Sequence, residues 1–410
     1  MKRRGSILPR RSAFEWVVRI GLALIVAILV GWSVMQSLAY SERGLAPEMA
    51  HRLAPGDGRI TAILSEKLSG PMATQQQRVQ ADQMARLALR QDATAVPAVA
   101  TLGIDAQIRG DTVSARRIFA YAQKLSRRDF RTQLWAIEDA VSRGDVAGTL
   151  KQYDITLRTS TYGPDLLFPV LSSAVADPAI RAALIHTLAA RPAWAHSFIE
   201  YVAGNGPNPR SVFNLFIGLQ RAGVSISGDA RTALINALLK GDFYDEAWAY
   251  YASIRPGADR RRSRDPYFTA AFDAPSPFDW TPVNDSVISA SIQRGDTGGV
   301  FVFSAPASVG GLMLRQMQLL PPGNYVLQGH GRNVDQSDSS RPYWVLSCLD
   351  GRELGRVEMA NSTKANGAFI GRLSVPAGCQ VQYLSLVARP SEEVGGVSGQ
   401  LDWVQLMPVR

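Results

Sequence analysis

Residues 106–111 read AQIRGD and residues 140–145 read AVSRGD, so one turn sequence recurs at an offset of 34 residues. A third Gly-Asp pair stands at 241–242. Glycine favours the position just after a helix, and aspartate favours the position just before one. Each pair therefore predicts a tight junction between two helices, and the offset predicts a repeating helical array.

The helices beside these turns share further residues. An aromatic residue follows each turn glycine by nine positions, and these residues are Phe119, Tyr153 and Tyr250. The unit that begins near Ala95 resembles a tetratricopeptide repeat. Its matching residues are Leu102 and Gly103 in the first helix and Ala115, Phe119 and Ala122 in the second. The next unit keeps Tyr153 but has Ile137, Thr149 and Thr156 in place of small residues. The resemblance covers about 79–252 as architecture and implies helix pairs with an aromatic side chain in the gap.

An uncharged segment precedes the helical array. Residues 20–40 read IGLALIVAILVGWSVMQSLAY, which is long enough to cross ~30 Å of hydrocarbon at 1.5 Å per residue. The basic residues before it are Lys2, Arg3, Arg4, Arg10 and Arg11. The positive-inside rule therefore predicts a cytoplasmic N-terminus and an exported body. A cleaved signal peptide is the alternative, although the apolar run is long for one and no A-x-A site follows it.

The composition changes near residue 254. Residues 255–265 read RPGADRRRSRD, and we interpret 254–276 as a basic, proline-rich linker that is solvated. Segments with strand-like alternation follow, separated by turns such as PPG, LDG and PAG. The predicted strands are 286–293, 299–304, 312–319, 323–330, 342–349, 352–358, 368–375, 381–387 and 399–407. Short antiparallel strands at this spacing predict a β-sandwich.

Two stretches of this region, LPPGNYVLQG at 320–329 and SGQLDWVQLMP at 398–408, resemble strands of jelly-roll carbohydrate-binding modules. The resemblance spans about 277–410 and implies a glycan site in which aromatic rings stack on sugars and polar groups bond hydroxyls. The candidate residues are Tyr343, Trp344, Trp403, His330 and Arg341. The alternative is that the aromatic residues fill the core. Since neighbouring strand residues face opposite sides, one of Tyr343 and Trp344 points inward, and the other is the better ligand candidate.

Cys348 and Cys379 are the only cysteines, and both lie in the strand-rich region. In an oxidising compartment we expect a disulfide between them, and two buried thiols are the alternative. No GxSxG, HExxH or GxxxxGK[ST] motif is present, and the four histidines are scattered. We therefore expect no metal, no cofactor and no catalytic activity.

The net charge of +9 comes from local clusters, at the N-terminus and at 260–264. A basic balance with so local an origin argues against a nucleic-acid partner. An acidic glycan or a lipid phosphate remains open as a partner of the second cluster.

The sequence as a whole predicts a multi-domain chain, α then β. Its parts are a basic cytosolic tail (1–15), a transmembrane helix (16–40), an α-helical repeat domain (42–253), the linker (254–276) and an antiparallel jelly-roll-like sandwich (277–410). We expect a single-pass protein of a bacterial inner membrane, with its body in the periplasm. The predicted function is a binding scaffold in cell-envelope or exopolysaccharide assembly or export, whose helices bind a protein partner and whose sandwich contacts glycan. The alternatives are a protein–protein adaptor without glycan binding and an enzyme acting on envelope glycan.

Overall fold

The computed structural model describes residues 12–270, 273–285, 287–295, 298–363, 366–391 and 393–409. In these ranges helices come first and strands follow, which confirms the predicted order of a helical region and a two-sheet sandwich. The basic residues from Lys2 to Arg11 lie outside the described residues. The helices are α1 (Ala13–Glu42), α2 (Pro47–Leu53), α3 (Gly58–Leu68), α4 (Gln75–Gln91), α5 (Val96–Ile108), α6 (Thr112–Leu125), α7 (Phe130–Ser142), α8 (Val146–Thr159), α9 (Gly163–Ala174), α10 (Pro178–Ala189), α11 (Ala195–Asn205), α12 (Pro209–Arg221), α13 (Gly228–Lys240) and α14 (Tyr244–Ile254).

The chain forms two compact units, Met1–Gly163 and Pro164–Arg410. The division falls inside the predicted 42–253 domain. Helices α1–α8 belong to the first unit, and the remaining helices belong with the strands to the second.

Helix α1 has the length and composition to cross a membrane, as an anchor or as a signal sequence. Its N-cap is Ser12, whose side chain accepts a hydrogen bond from Glu15 N. The apolar side chains of its span are exposed, whereas Ala39 near its C-terminal end is fully buried. Ala39 packs in a cluster with Ala50, Ala54 and Ile60, so the end of α1 belongs to the core of the first unit.

The repeated turns of the first unit have the geometry that the sequence predicts. Gly110 and Gly144 adopt left-handed φ angles of 82° and 67°. Asp111 and Asp145 are the N-caps of α6 and α8 and accept hydrogen bonds from the backbone N–H groups three residues ahead. The Gly-Asp pair at 241–242, in the second unit, differs. There Asp242 takes the left-handed φ of 60°, and Phe243 is the N-cap.

The helix pair α5–α6 packs as the tetratricopeptide resemblance implies. A Cβ added at Gly103 would lie 2.7 Å from the Phe119 ring, so the missing side chain makes room for that ring. Phe119 also stacks on Trp135 of α7, with ring centroids 4.3 Å apart. The neighbouring matched residues Ala115, Ala122 and Tyr153 are buried, and Leu102 is partly buried.

The second unit contains a sandwich of two antiparallel sheets. The strands are β1 (Thr281–Pro282), β2 (Ser289–Gly295), β3 (Gly298–Ala305), β4 (Gly311–Gln318), β5 (Gly323–Arg332), β6 (Tyr343–Cys348), β7 (Glu353–Glu358), β8 (Ala368–Val375), β9 (Gln382–Ala388) and β10 (Val397–Pro408). We call the sheet with strand order β1-β4-β9-β6-β7 sheet A, and the sheet with order β2-β3-β10-β5-β8 sheet B. From β4 onward the chain passes repeatedly between the sheets, as in jelly-roll sandwiches.

One apolar core fills the space between the sheets and includes Trp344, Phe301, Phe303 and Leu401, all at most 2% exposed. The predicted disulfide is present, because Cys348 and Cys379 are bonded with their Cα atoms 5.7 Å apart. It joins the end of β6 to the segment before β9 in sheet A.

The segment expected to be a solvated linker is partly internal. Arg264 is 7% exposed and donates to Phe278 O and to Gln318 Oε1, at 3.0 and 2.6 Å. Burial lowers the pKa of Arg264 to about 10. Arg264 therefore lies in the interior of the sandwich. Carbonyl oxygens there replace the water around its guanidinium group, which makes the burial of the charge tolerable.

Residues 263–266, on both sides of Arg264, run along β10. Ser263 N donates to Leu406 O at 3.0 Å, and Val404 N donates to Pro266 O at 2.9 Å. Gly299 N at the start of β3 donates to Tyr267 O at 3.1 Å. These bonds fix Tyr267 at the outer face of sheet B.

Candidate functional site

The five predicted glycan-binding residues lie in three separate places. His330 and Trp403 are opposite one another on β5 and β10 of sheet B. Tyr343 begins β6 of sheet A, and Arg341 precedes it in the chain. Trp344 lies in the core between the sheets.

Trp344 is fully buried, and its indole stands 5.7 Å from that of Trp280. A buried ring cannot stack on a sugar, so Trp344 is not a ligand residue and its place among the candidates was wrong. The reason is the alternation of β6, in which Trp344, Leu346 and Cys348 point inward while Tyr343 and Val345 point outward.

Tyr343 points outward from sheet A, but other side chains already occupy its ring. The guanidinium carbons of Arg356 and Arg389 lie 4.6 and 4.5 Å from the ring centroid. Each arginine is held by two bonds to a carboxylate, Arg356 to Glu353 and Arg389 to Glu358. A sugar would have to displace these groups to stack on Tyr343.

The side chain of Arg341 also already has partners within the protein. One nitrogen pairs with Asp338 at 3.0 Å, and another donates to Met359 O at 3.4 Å. Its own carbonyl accepts a bond from Arg389. These contacts give Arg341 a role in holding the loop before β6.

Trp403 lies on the outer face of sheet B with polar groups beside it. Asp402 is the extra residue of a β-bulge between Leu401 and Trp403, so both Asp402 and Trp403 face outward. One Asp402 oxygen lies 2.7 Å from His330 Nδ1, and the other accepts from Arg332 Nε at 2.8 Å. An aromatic ring therefore stands beside a fixed set of hydrogen-bonding side chains.

Tyr267 completes this group, and the sequence did not indicate it. Its ring centroid is 6.4 Å from that of Trp403, with the planes inclined at 43°, and Tyr267 is 57% exposed. Tyr267 lies in the segment that was interpreted as a linker. The adjacent aromatic residues Tyr267 and Phe268 were the available signal, but the position of Tyr267 depends on a backbone bond to β3 that no local pattern predicts.

Three of the five strands of sheet B, β10, β5 and β8, form a regular outer surface. The strand registers give three rows across β10, β5 and β8, which are Trp403–His330–Ala368, Gln405–Gln328–Ile370 and Met407–Val326–Arg372. Four residues along a strand span about 13 Å at ~3.3 Å per residue. We call these three rows the sheet B track. A cavity of about 770 Å³ lies at its Met407 end.

The first unit carries a separate groove. A cavity of about 580 Å³ is lined by side chains of α5 and α7, among them Ile104, Leu134 and Trp135, and by Glu66 and Arg131. Burial raises the pKa of the Glu66 carboxyl. We call this cavity the helical groove. Its mixed apolar and charged lining suits a segment of protein.

Within the described ranges, no three His, Cys, Asp or Glu side chains come together as a metal site would require. His330, Asp402 and Arg332 together present imidazole, carboxylate and guanidinium groups, which can bond hydroxyls and orient a ligand.

No family model and no curated protein matches the chain. Several solved structures resemble parts of it. They include the enzymatically active domain of bacteriophage CBA120 tailspike protein 4, at 15% identity and a TM-score of 0.24, covering 33% of this chain and 20% of that one. TmCBM61 in complex with β-1,4-galactotriose matches at 13% identity and a TM-score of 0.23, over 32% of this chain and 88% of that one. Pseudomonas aeruginosa pilF matches at 17% identity and a TM-score of 0.25, over 49% of this chain and 96% of that one. This chain thus spans one fifth of the tailspike chain. With TM-scores this low, the ligand has to be inferred from the geometry of the chain itself.

Proposed function

We propose that this protein is a membrane-anchored binding scaffold of the bacterial cell envelope, with its body in the periplasm. In this proposal the sandwich binds polysaccharide on the sheet B track, and the helical groove holds a segment of a protein partner. The protein would take part in the assembly or export of an envelope polymer or exopolysaccharide.

The observation that carries the glycan assignment is the partly exposed Trp403 beside Tyr267, with His330, Asp402 and Arg332 next to it. Sugar rings present C–H faces that pack on indole and phenol rings, and their hydroxyls bond to carboxylate, imidazole and guanidinium groups. The flat strand surface leaves this ring accessible, whereas the ring of Tyr343 on sheet A is occupied.

Two further observations support the proposed membrane anchor and the proposed periplasmic location of the body. The disulfide Cys348–Cys379 suits an oxidising compartment. The burial of Ala39 with Ala50, Ala54 and Ile60 supports a retained anchor, because cleavage on the C-terminal side of Ala39 would remove a residue from the core of the first unit.

The test is calorimetry of the full chain in detergent with a panel of neutral and acidic bacterial polysaccharides. We expect saturable binding of at least one polymer, weakened about tenfold or more by Trp403→Ala, since an aromatic contact of this kind is worth ~1–2 kcal/mol. Tyr343→Ala is the matched control on the other sheet and should leave the affinity unchanged. Absence of binding across the panel would contradict the glycan assignment.

The helical groove favours a second candidate, a protein–protein adaptor without glycan binding. Leu134→Arg would place a charge among the apolar groove residues Ile104 and Trp135. If the protein is an adaptor, this variant loses a defined partner found by crosslinking in cells, while Trp403→Ala keeps it. The opposite pattern would exclude the adaptor.

A further inference from the structure

The cavity at the Met407 end of the sheet B track has an apolar floor and basic walls. Val326, Met407 and the 71% exposed Ile370 form the floor. Arg372 on β8 and Arg261 from the segment before β1 form part of the walls. Both arginines are exposed, and among the described residues neither guanidinium group forms an ion pair, although Asp259 of the same cavity accepts from the Arg261 backbone N–H at 2.8 Å.

The other charges of the track and its cavity are already paired. Arg262 lies 3.4 Å from Asp259, and Arg332 is held by Asp402. One end of the track therefore has two guanidinium groups without an ion pair among the described residues, and the track and its cavity also carry two carboxylates, Asp259 and Asp402. A dense polyanion such as nucleic acid or an anionic bilayer would meet those carboxylates at every approach, and it is usually bound by many more cations.

An apolar floor below separated cations fits a polysaccharide whose sugar rings present an apolar C–H face and whose carboxylates are spaced apart along the polymer. One ring of such a polymer can pack on Val326 and Met407 while its carboxylate reaches Arg372 or Arg261. Arginine matches a carboxylate with two parallel N–H bonds.

The strand registers connect this cavity with the aromatic end. The middle row presents Gln328, whose amide can bond a hydroxyl, and Trp403 stands about 13 Å from Met407 along β10. A chain of several sugar rings can therefore contact both ends of the track.

We propose that the sheet B track binds an acidic polysaccharide of the uronate type, with Arg261 and Arg372 as the residues that select the carboxylate. This inference rests on the proposed glycan-binding function and specifies its ligand class. Trp403 and Tyr267 supply affinity for the sugar ring in either charge state, and the two arginines supply the preference for the acid.

The experiment titrates the full chain in detergent with oligogalacturonates and alginate oligomers, and with the methyl esters of the same oligomers. Esterification keeps the sugar and removes the charge. We expect the acids to bind about tenfold or more tighter than their esters at low salt, with the preference reduced as salt is added. The double variant Arg261→Gln, Arg372→Gln should bind acid and ester equally. Arg221→Gln, an exposed arginine of α12, is the control and should keep the preference.

The outcomes separate the two proposals. Equal binding of acids and esters by the unmodified protein would overturn the acidic preference and leave the glycan function standing. Failure of both forms to bind, together with failure across the neutral panel, would overturn the glycan function itself. Binding of phosphatidylglycerol vesicles lost in the double arginine variant, without polyuronate binding, would assign the arginines to lipid and overturn the inference.

Discussion

The outer faces of the two sheets carry similar aromatic and charged residues, but these residues differ in the contacts they make within the protein. On sheet A, Tyr343 lies among Arg356 and Arg389, and each arginine is held by a glutamate. On sheet B, Trp403 has Tyr267 as its aromatic neighbour, and the guanidinium groups of Arg261 and Arg372 at the far end of the track form no ion pair with any described residue. The charged groups around Tyr343 on sheet A are paired with one another over its ring, whereas on sheet B the rings of Trp403 and Tyr267 carry no such arginine pair among the described residues.

This difference shows that a list of aromatic and basic residues does not identify a binding face. The deciding property is whether each group already has a partner within the protein. A ligand has to break that existing contact, and the free energy of the broken contact is subtracted from the free energy of binding. The predictions below test this contrast.

The largest expected effect is on the core that both faces share. Trp344→Ala removes the largest fully buried side chain and should lower the free energy of unfolding by about 3–5 kcal/mol. Denaturant unfolding followed by circular dichroism measures this. Tyr343→Ala, at the neighbouring outward position, should cost much less. Equal losses would mean that the two residues are not on opposite sides of β6.

The next effect concerns the disulfide of sheet A. Replacing both Cys348 and Cys379 by serine should lower the free energy of unfolding by about 2–4 kcal/mol, because the unfolded chain regains the freedom of the closed loop. Since the bridge joins strands of sheet A, glycan affinity at the sheet B track should persist below the unfolding transition. Loss of binding in the folded double serine variant would place the binding face on sheet A.

A smaller effect comes from freeing Tyr343. Arg356→Ser with Arg389→Ser removes both guanidinium groups over its ring and should lower the free energy of unfolding only slightly, since both ion pairs are partly exposed. Hydroxyl-radical labelling of Tyr343 should rise. Unchanged labelling would show that the two arginines do not cover the ring.

The smallest effect lies in the helical groove. The pKa of Glu66 is raised in the folded protein, so the folded state holds this proton at pH values where the unfolded state has lost it. The stabilising contribution is therefore present at acidic pH and is lost as the pH rises through the raised pKa. As the pH rises above the ordinary glutamate pKa, the midpoint temperature of unfolding should fall less steeply in Glu66→Gln than in the unmodified chain. Glu138→Gln removes a negative charge from the same groove and is the control. An identical slope in Glu66→Gln would contradict a raised pKa of Glu66.

Much of the fold could be predicted because it depends on local patterns. All nine predicted strands overlap observed ones, and the repeated turns place Gly110 and Asp111 at helix ends as expected. The short strand β1 was missed, because two residues carry no periodicity. Asp242 adopts the left-handed conformation instead of Gly241, a choice that the dipeptide alone does not decide.

The candidate site was harder to predict, because it depends on contacts far apart in sequence. Alternation shows that either Tyr343 or Trp344 is buried, but only the sheet arrangement shows which. The inward turn of Arg264 and the position of Tyr267 beside Trp403 depend on bonds to Phe278, Leu406 and Gly299. No local pattern in the segment between residues 254 and 276 contains this information.

The most direct test of the contrast between the faces is hydroxyl-radical footprinting of the full chain with and without a saturating polyuronate oligomer. It reads the solvent exposure of individual side chains without any substitution. We predict that Trp403, Tyr267 and Met407 become protected while Tyr343 and Tyr383 on sheet A stay unchanged. Protection of Tyr343 and Tyr383, with Trp403 unaffected, would contradict the assignment of the binding face to sheet B.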